Sequence, residues 1–241
     1  MNKPDITLVI PMYNENSIIK DTANTLHEYM STHFDSYEIL FSDDGSKDGC
    51  ADTVRNMQLS NVRVIGYSEN HGKGCAIRTA ILEAVGEVIM FTDADLAYGT
   101  EVISKLYAEL SGNKDASMII GSRNLSKDGY EGYTFLRKIM SKVYIKMLGM
   151  MGGFKFSDSQ CGCKAYKNDA AKDIFSRCKV DGFAFDFESI IWAQKLQYNI
   201  IETPVKIINH HKSTVKVLKD SFKMLRDVMG IRRRINREIK A

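Results

Sequence analysis

The sequence predicts an α/β fold: a doubly wound, mostly parallel sheet flanked by helices. From residue 6 to residue 122, short apolar runs alternate with segments of helical spacing, as in parallel strands joined by crossover helices. The strand-like runs show little polar alternation, which is typical of strands buried on both faces. In addition, two aspartate-rich segments directly follow strand-like runs, at the sheet edge where such folds bind ligands.

The elements of this pattern follow one another regularly. The first strand is predicted at 6–10, and a helix at 16–30 follows it with Ile19, Leu26 and Tyr29 on one face. Four more strands are predicted by apolar runs, at 37–42, 61–68, 86–92 and 116–122. Helical spacing predicts the connecting helices at 50–59, 74–85 and 101–110.

The pattern changes after residue 122. A Met-rich helix with interspersed lysines is predicted at 136–154, and a polar loop at 157–168 leads to a short strand. A helix at 184–196 carries the single tryptophan, and a late strand is predicted at 199–209. The chain is therefore divided into one domain, 1–212, and a basic amphipathic C-terminal helix, 213–241. The apolar positions of that helix are Leu218, Phe222, Leu225 and Met229.

The composition is that of an ordinary globular protein, with 241 residues of which 44% are hydrophobic and 26% charged. A net charge of +3 does not indicate a nucleic-acid partner, and we expect none. No apolar run approaches the roughly 18 residues needed to span a bilayer, and the N-terminus does not resemble a signal peptide. Five irregularly spaced cysteines suit reduced thiols in a cytosol.

Two motifs at the ends of the first two strands suit a nucleoside. In VIPMYNE (9–15), Tyr13 can stack on a base, and Glu15 opens a helix where the dipole favours negative charge. In DDGSKDG (43–49), the carboxylates of Asp43 and Asp44 can accept hydrogen bonds from a base edge or from ribose hydroxyls. Helix capping and an acidic surface turn are the respective alternative interpretations.

Two further motifs suit a diphosphate and a metal ion. NHGKGCAIR places Gly72 and Gly74 around Lys73 just before a helix, which favours phosphate binding although the full P-loop pattern is absent. In TDAD, Asp93 and Asp95 can share a hard divalent cation, Mg²⁺ or Mn²⁺, and such an ion would offset their mutual repulsion. Four such motifs at successive strand ends indicate one ligand site.

These motifs, with GSR (121–123), DSQCGCKAY (158–166) and FAFDFES (183–189), resemble the inverting family-2 glycosyltransferases of the GT-A fold. They are most similar to the branch that contains dolichyl-phosphate glucosyltransferase and dolichol-phosphate mannose synthase. The resemblance implies that 1–212 is a catalytic domain. It implies a nucleotide-sugar site formed by Pro11, Tyr13, Glu15, Asp43, Asp44, Lys73 and Asp93. It also implies metal ligands Asp93 and Asp95, acceptor-phosphate residues Arg123 and Arg137, and a catalytic set of Asp95, Arg123, Asp158 and Gln160.

The chain departs from the family pattern at two places. Ala97 follows Leu96 where many members carry a glutamine near the metal, and Thr214 stands where this branch often has a lysine. An acceptor role for the HHKST segment (210–214) is therefore not expected. We interpret His210 and His211 as solvated or packing residues rather than as catalysts.

The resemblance predicts metal-dependent, inverting transfer of a hexose from a nucleotide-diphosphate sugar to a polyprenyl phosphate. UDP-glucose is the favoured donor and GDP-mannose the alternative. A phosphate monoester has its second pKa near ~6, so such an acceptor needs positioning by arginine rather than a general base. One alternative is a hydroxyl acceptor in cell-surface polysaccharide synthesis, with Asp158, Asp186 or Glu188 as base. A remote alternative is a non-catalytic binding scaffold.

Membrane contact is expected from the two basic helices. Helix 136–151 combines Met, Ile, Tyr and Leu with lysines, and the C-terminal helix carries a cluster of arginines. Such helices can lie in the interface of an anionic membrane, although packing on the sheet or a homo-oligomer interface would also use their apolar faces. We expect a cytoplasmic protein, peripheral at the cytoplasmic face of the membrane.

Overall fold

The computed structural model of the protein describes residues 3–131, 135–209 and 217–238, with the backbone alone at 135–137 and 217–226. Its strands are β1 (Ile6–Met12), β2 (Tyr37–Asp43), β3 (Val62–Gly66), β4 (Val88–Phe91), β5 (Met118–Ser122), β6 (Lys164–Lys167) and β7 (Ile200–Pro204). Within the described residues they form one seven-stranded sheet in the order β3–β2–β1–β4–β6–β5–β7. The pairings of β6 with β4 and β5 are antiparallel, whereas β1–β2, β2–β3, β1–β4 and β5–β7 are parallel.

Helices cover both faces of the sheet. They are α1 (Ile19–His33), α2 (Cys50–Asn56), α3 (Lys73–Glu83), α4 (Glu101–Gly112), α5 (Phe135–Gly152), α6 (Asn168–Arg177), α7 (Phe185–Lys195) and α8 (Val217–Glu238). Side chains of β1 alternate between two apolar layers: Leu8 and Ile10 pack with α1, α2 and α4, and Val9 packs with α3, α6, α7 and α8. The predicted doubly wound, mostly parallel sheet is confirmed.

The helix α6 was not predicted. The sequence interpretation assigned no element between residues 168 and 184, yet Ala170, Ala171, Ile174 and Phe175 are buried at helical spacing. The periodicity of the four apolar residues was therefore a usable signal.

The late strand is shorter than predicted, because β7 ends at Pro204 and the chain then leaves the sheet. Residues 205–209 instead run along the loop after β4, where the backbone N–H of Ile208 donates to the Ala97 carbonyl at 2.8 Å. A Cβ on Gly99 would lie 2.3 Å from Ile208 Cδ1. Gly99 also adopts a left-handed backbone, at φ 69°, which favours glycine at that position.

The C-terminal helix packs on the body of the fold, against α5 and α7. In its described part the buried residues are Val228, Ile231 and Ile235, whereas Met229 is 51% exposed. Met229, one of the four apolar positions noted in the sequence, therefore lies outside the buried face, and the side chains of Leu218, Phe222 and Leu225 lie outside the described residues. His210, His211 and Thr214 lie outside them as well.

In the part of the chain that the structure describes, no helix is long and apolar enough to cross a membrane.

Candidate active site

The loops after β1 and β2 are tied together and present an exposed tyrosine. Asn14 adopts a left-handed backbone (φ 55°), its N–H donates to Ser46 Oγ at 2.9 Å, and its side chain accepts from Lys47 N–H at 2.8 Å. Tyr13, just past the end of β1, is 45% exposed. The carbonyl of Glu15 caps α1. Pro11 lies in β1 opposite Ser42, two positions before Tyr13.

The neighbouring aspartates Asp43 and Asp44 have different surroundings. Asp44 accepts hydrogen bonds from Tyr67 Oη at 2.6 Å, from Asn70 Nδ2 at 2.7 Å, and from the backbone N–H groups of residues 71 and 72. Burial, followed by this contact with Asp44, raises the pKa of Tyr67. Asp43 accepts the N–H of Ser46 at 3.1 Å. Of the two predicted nucleoside ligands, Asp44 therefore shapes the 67–72 loop, and Asp43 retains more acceptor capacity.

Lys73 meets Asp93 at the carboxyl end of the sheet. Gly72, at φ 118°, directly precedes α3, and Lys73 is the first residue of that helix. The Lys73 ammonium contacts Asp93 Oδ1 directly. Burial acts to lower the pKa of Lys73, but the negative charge of Asp93, with smaller contributions from Asp186 and Asp95, outweighs it and raises that pKa. The predicted diphosphate and metal motifs are thus adjacent in space.

The chemistry of the TDAD segment fits a hard divalent cation. Asp95 Oδ1 accepts the N–H of Ala97 at 3.0 Å, which fixes its orientation. Among the described residues, no group of three or more His, Cys, Asp and Glu side chains is arranged to hold a metal. Mg²⁺ commonly uses one or two carboxylates and completes its shell with phosphate and water. Asp93 and Asp95 fit that kind of site.

Gly162 is a site residue that the sequence interpretation missed. A Cβ on Gly162 would lie 2.4 Å from Asp93 Oδ2, so the backbone of the CGC segment packs directly against the carboxylate. The flanking Cys161 and Cys163 are buried, and burial raises the pKa of Cys161 to about 11. These thiols are protonated core residues, and the glycine between them permits the close approach to Asp93.

Arg123 and Asp158, two predicted catalytic residues, form a two-point ion pair. Arg123 Nε lies 2.6 Å from Oδ2 and Nη2 lies 2.9 Å from Oδ1, while the Arg123 N–H also donates to Oδ2 at 3.0 Å. Asp158 is fully buried. The centroid of the Tyr130 ring lies 5.1 Å from the guanidinium carbon of Arg123. Asp158 therefore orients the arginine.

Glu202 supports this pair from β7 and was not singled out by sequence. Its Oε1 accepts the Ser157 N–H at 2.8 Å, the Ser157 hydroxyl at 2.7 Å and the Asp158 N–H at 3.1 Å. A carboxylate inside the apolar run IIETP was the available signal. Glu202 holds in place the turn that carries Asp158.

The two remaining residues of the predicted acceptor region are Gln160 and Arg137. Gln160 is half-buried, and its Nε2 atom finds no acceptor among the described residues. Such a buried donor is an available hydrogen-bonding group for a ligand. Arg137 lies on α5, but its side chain is outside the described residues.

Lys164, on β6, is fully buried. Lys164 Nζ lies 2.5 Å from Asp186 Oδ1 and 2.6 Å from the Cys161 carbonyl oxygen, and 5.6 Å from the centroid of the Phe91 ring. Burial raises the pKa of Asp186, against the opposing effect of Lys164. Lys164 was missed by sequence because KAY looks like an ordinary edge-strand segment.

All three carboxylates considered as bases are engaged by cations of the protein. Glu188 is fully buried, accepts the N–H groups of Lys179 and Val180 at 2.7 to 3.0 Å, and contacts Arg234 of α8. The pairs are Asp158–Arg123, Asp186–Lys164 and Glu188–Arg234. All three carboxylates are also buried, so none of them is presented to an acceptor hydroxyl from which it could take a proton.

Comparison with known proteins identifies relatives over most of the chain. Residues 7–175 match the sequence model described as Glycosyl transferase family 2. The dolichyl-phosphate beta-glucosyltransferase of Dictyostelium discoideum is 30% identical, over 94% of this chain and 73% of its own length. The corresponding enzyme of Homo sapiens is 28% identical, over 95% of this chain and 75% of its own length.

Solved structures share the fold at lower identity. Glucosyl-3-phosphoglycerate synthase from Mycobacterium tuberculosis, in complex with Mn²⁺, UDP and phosphoglyceric acid, superposes with a TM-score of 0.70 at 15% identity, covering 95% of this chain and 78% of its own. Mannosyl-3-phosphoglycerate synthase from Rubrobacter xylanophilus gives 0.68 at 18% identity, covering 99% and 76%. These likenesses establish the GT-A type of fold.

Proposed function

The chain belongs to glycosyl transferase family 2 and is a glycosyltransferase, and on this premise we propose that it transfers a hexose to a polyprenyl phosphate. The donor is a nucleotide-diphosphate sugar, UDP-glucose in preference to GDP-mannose, and the transfer is inverting and metal-dependent. The curated relatives named dolichyl-phosphate beta-glucosyltransferase support both the sugar and the acceptor class.

The proposal rests mainly on one observation: each of the three carboxylates considered as a general base forms an ion pair with a basic side chain of the protein. A hydroxyl acceptor must lose its proton during transfer, so its enzyme needs a general base in reach. Asp158, Asp186 and Glu188 each hold a basic side chain of the protein instead. A phosphate-monoester acceptor is already anionic at neutral pH and needs only to be held in place.

The donor site is proposed at the ends of β1, β2 and β4. The exposed Tyr13 ring offers a stacking surface for the base, and Asp43, with Glu15 and Pro11 nearby, borders the nucleoside. The protonated Lys73 ammonium would stabilise negative charge on the diphosphate. Asp44 contributes indirectly, by holding the loop that leads to Lys73.

Asp93 and Asp95 would hold Mg²⁺ or Mn²⁺, an ion that acts as a Lewis acid toward the leaving diphosphate. Lys73 contacts Asp93, so a cation already neutralises this carboxylate in the structure. Gly162 leaves room for the Asp93 carboxylate, and Ala97 orients Asp95 through its N–H. A protein of the same fold was solved with Mn²⁺ and UDP, which supports the use of a divalent metal.

The acceptor phosphate is proposed to bind at Arg123. The Asp158 pair uses Nε and Nη2 of the guanidinium, so Nη1 and the second Nη2 hydrogen are the donors that a phosphate would meet. Gln160 would add its amide donor, and Arg137 belongs to the same proposed site.

Contact with the cytoplasmic face of the membrane is proposed for α5 and α8. Apolar side chains stand exposed there, among them Val143 at 62%, Met150 at 68% and Met229 at 51%. A groove of about 260 Å³ is lined by Met151, Met229, Arg232 and Arg233, together with Val228 and Asn236. Exposed apolar residues beside basic ones suit an anionic bilayer, and the same face would serve a homo-oligomer.

The test is nucleotide release from UDP- and GDP-sugars with Mn²⁺ or Mg²⁺, with and without a polyprenyl phosphate. We expect turnover with UDP-glucose that depends on the lipid phosphate and disappears in Asp95→Asn. The matched control is Asp52→Asn, which removes an exposed carboxylate paired with Arg55 and should leave turnover unchanged. Donor binding with no stimulation of turnover by the lipid phosphate would favour a hydroxyl acceptor, and absence of any nucleotide-sugar binding would overturn the proposal.

A further inference from the structure

The C-terminal helix reaches a buried carboxylate of the main domain. Arg234 of α8 contacts Glu188 of α7, and Glu188 is fully buried. The same Glu188 carboxylate accepts the backbone N–H of Lys179 at 2.9 Å and of Val180 at 2.7 Å. One carboxylate therefore joins α8 to the segment 178–183, which we name the bracing loop.

The bracing loop packs in turn against the start of α3. The Asp181 carbonyl accepts the N–H of Cys75 at 3.2 Å, and the Asp181 carboxylate receives Arg78 Nη2 at 2.6 Å. A Cβ on Gly72 would lie 2.5 Å from the Asp181 carbonyl oxygen, and one on Gly74 would lie 2.5 Å from that of Val180. The two glycines around Lys73 are therefore required by the bracing loop.

These contacts form one continuous set from α8 to Lys73. Arg234 balances the charge of Glu188, Glu188 fixes the backbone of the bracing loop, and that backbone supports the turn that begins α3. Removal of the arginine would leave a carboxylate buried without its cation, which is unfavourable. The loop backbone that it holds would then lose its fixed position.

We propose that α8 controls the geometry of the donor-phosphate turn, residues 72–75, and that Arg234 is the positioning residue through which it does so. The assignment of that turn to the donor phosphates rests on the function proposed above, whereas the mechanical coupling does not. Because coupling between two sites is reciprocal, docking of α8 and binding of the donor favour one another.

The experiment compares the wild type with Arg234→Gln by amide hydrogen exchange, in the full chain and without lipid. We expect exchange to accelerate about tenfold, a typical size for coupled sites, both at 179–180 and at 72–76. Acceleration confined to α8 and 179–180 would overturn the proposal, because it would show that the disturbance stops at the bracing loop.

The second readout is calorimetric binding of UDP with Mn²⁺. Arg234→Gln should weaken binding about tenfold, within the range of coupled sites, and Arg234→Lys should recover part of it. A merely structural arginine would lower the urea midpoint and leave the Kd of UDP unchanged, and that result would overturn the proposal. If the wild type binds no nucleotide, the proposed function fails while the exchange experiment still tests the coupling.

Two further variants distinguish loss of the buried Arg234–Glu188 contact from a general weakening of the packing of α8. Lys179→Gln removes an exposed ion pair, Lys179 Nζ–Glu238 Oε1 at 2.8 Å, between the same loop and helix, and should leave exchange at 72–76 unchanged. Glu188→Gln removes the charge but keeps an acceptor, so adding Arg234→Gln to it should have little further effect. Full additivity of the two substitutions would overturn the role of the pair.

Discussion

The Arg123 guanidinium meets the Asp158 carboxylate at two points, with Nε 2.6 Å from Oδ2 and Nη2 2.9 Å from Oδ1. Asp158 is fully buried, and Arg123 is 11% exposed along its side chain. The pair fixes the plane of the guanidinium, which a single-point contact could not do. Its proposed role is to present the remaining N–H groups in a fixed direction.

Substitution of Arg123 by lysine tests this role. Lysine keeps the charge but cannot form a two-point contact, and a hydrogen bond to a charged group contributes about 1.5–3 kcal/mol. We expect kcat/KM for the lipid phosphate to fall roughly 10- to 100-fold, with the Kd of UDP unchanged. Arg177→Lys, in the exposed Arg177–Asp173 pair, is the control and should behave as wild type. Equal losses in donor and acceptor binding would contradict an acceptor-specific role.

Gly162→Ala should disable the proposed metal site although both proposed ligands, Asp93 and Asp95, are retained. The new methyl group would lie 2.4 Å from Asp93 Oδ2, so the carboxylate or the CGC backbone must move. We expect Mn²⁺-dependent UDP binding, measured by calorimetry, to be lost or weakened by at least about tenfold, or about 1.4 kcal/mol. Gly112→Ala, where a Cβ would meet nothing within 4 Å, is the matched control. Unchanged metal dependence in Gly162→Ala would argue against Asp93 as a ligand.

Substitution of Glu202 should lower the rate of transfer to the acceptor, although Glu202 contacts Asp158 rather than Arg123. Glu202→Ala leaves the N–H groups of Ser157 and Asp158 without their acceptor, which costs about 1–3 kcal/mol for each group that stays buried. We expect urea denaturation to show that loss and kcat/KM for the lipid phosphate to fall, with donor affinity retained. Glu202→Gln keeps an acceptor oxygen and should recover most of the activity. A uniform loss of donor and acceptor binding would show that Glu202 serves the fold alone.

The buried Lys164–Asp186 pair should show its largest effect when only one partner is removed. Asp186→Asn leaves the fully buried Lys164 ammonium without its counter-charge, and such a change lowers the free energy of unfolding by about 3–5 kcal/mol. The double variant Lys164→Met, Asp186→Asn should recover part of this loss. Asp173→Asn, in an exposed pair, should change stability by less than about 1 kcal/mol. Urea denaturation of the four proteins decides the matter, and equal stability of Asp186→Asn and wild type would contradict the prediction.

The sheet and the place of the candidate site could be predicted from the sequence, since local patterns carry that information. Apolar runs of four to seven residues defined β1, β2 and β4 to within a few residues. Parallel strands direct their carboxyl ends to one edge, so Tyr13, Asp43, Lys73 and Asp93 could be placed together before any contact was known. The helix α6 could also have been recognised from its buried spacing.

The groups that contact the carboxylates of the candidate site could not be predicted from local sequence patterns. Asp43 and Asp44 are neighbours in the chain, yet only the fold directs Tyr67, Asn70 and the 71–72 backbone onto Asp44. The antiparallel insertion of β6 between β4 and β5 is likewise a long-range pairing, and it brings Gly162 to Asp93.

The sequence by itself therefore determined the class of fold, the family and the edge of the sheet at which the candidate site residues gather, because periodicity and short motifs are local properties of the chain. Only the tertiary structure decided which carboxylates are occupied by cations, because the ion pairs Arg123–Asp158, Lys164–Asp186 and Arg234–Glu188 join residues on different elements. The strength of such a pair depends on burial, and burial is a property of the packed molecule.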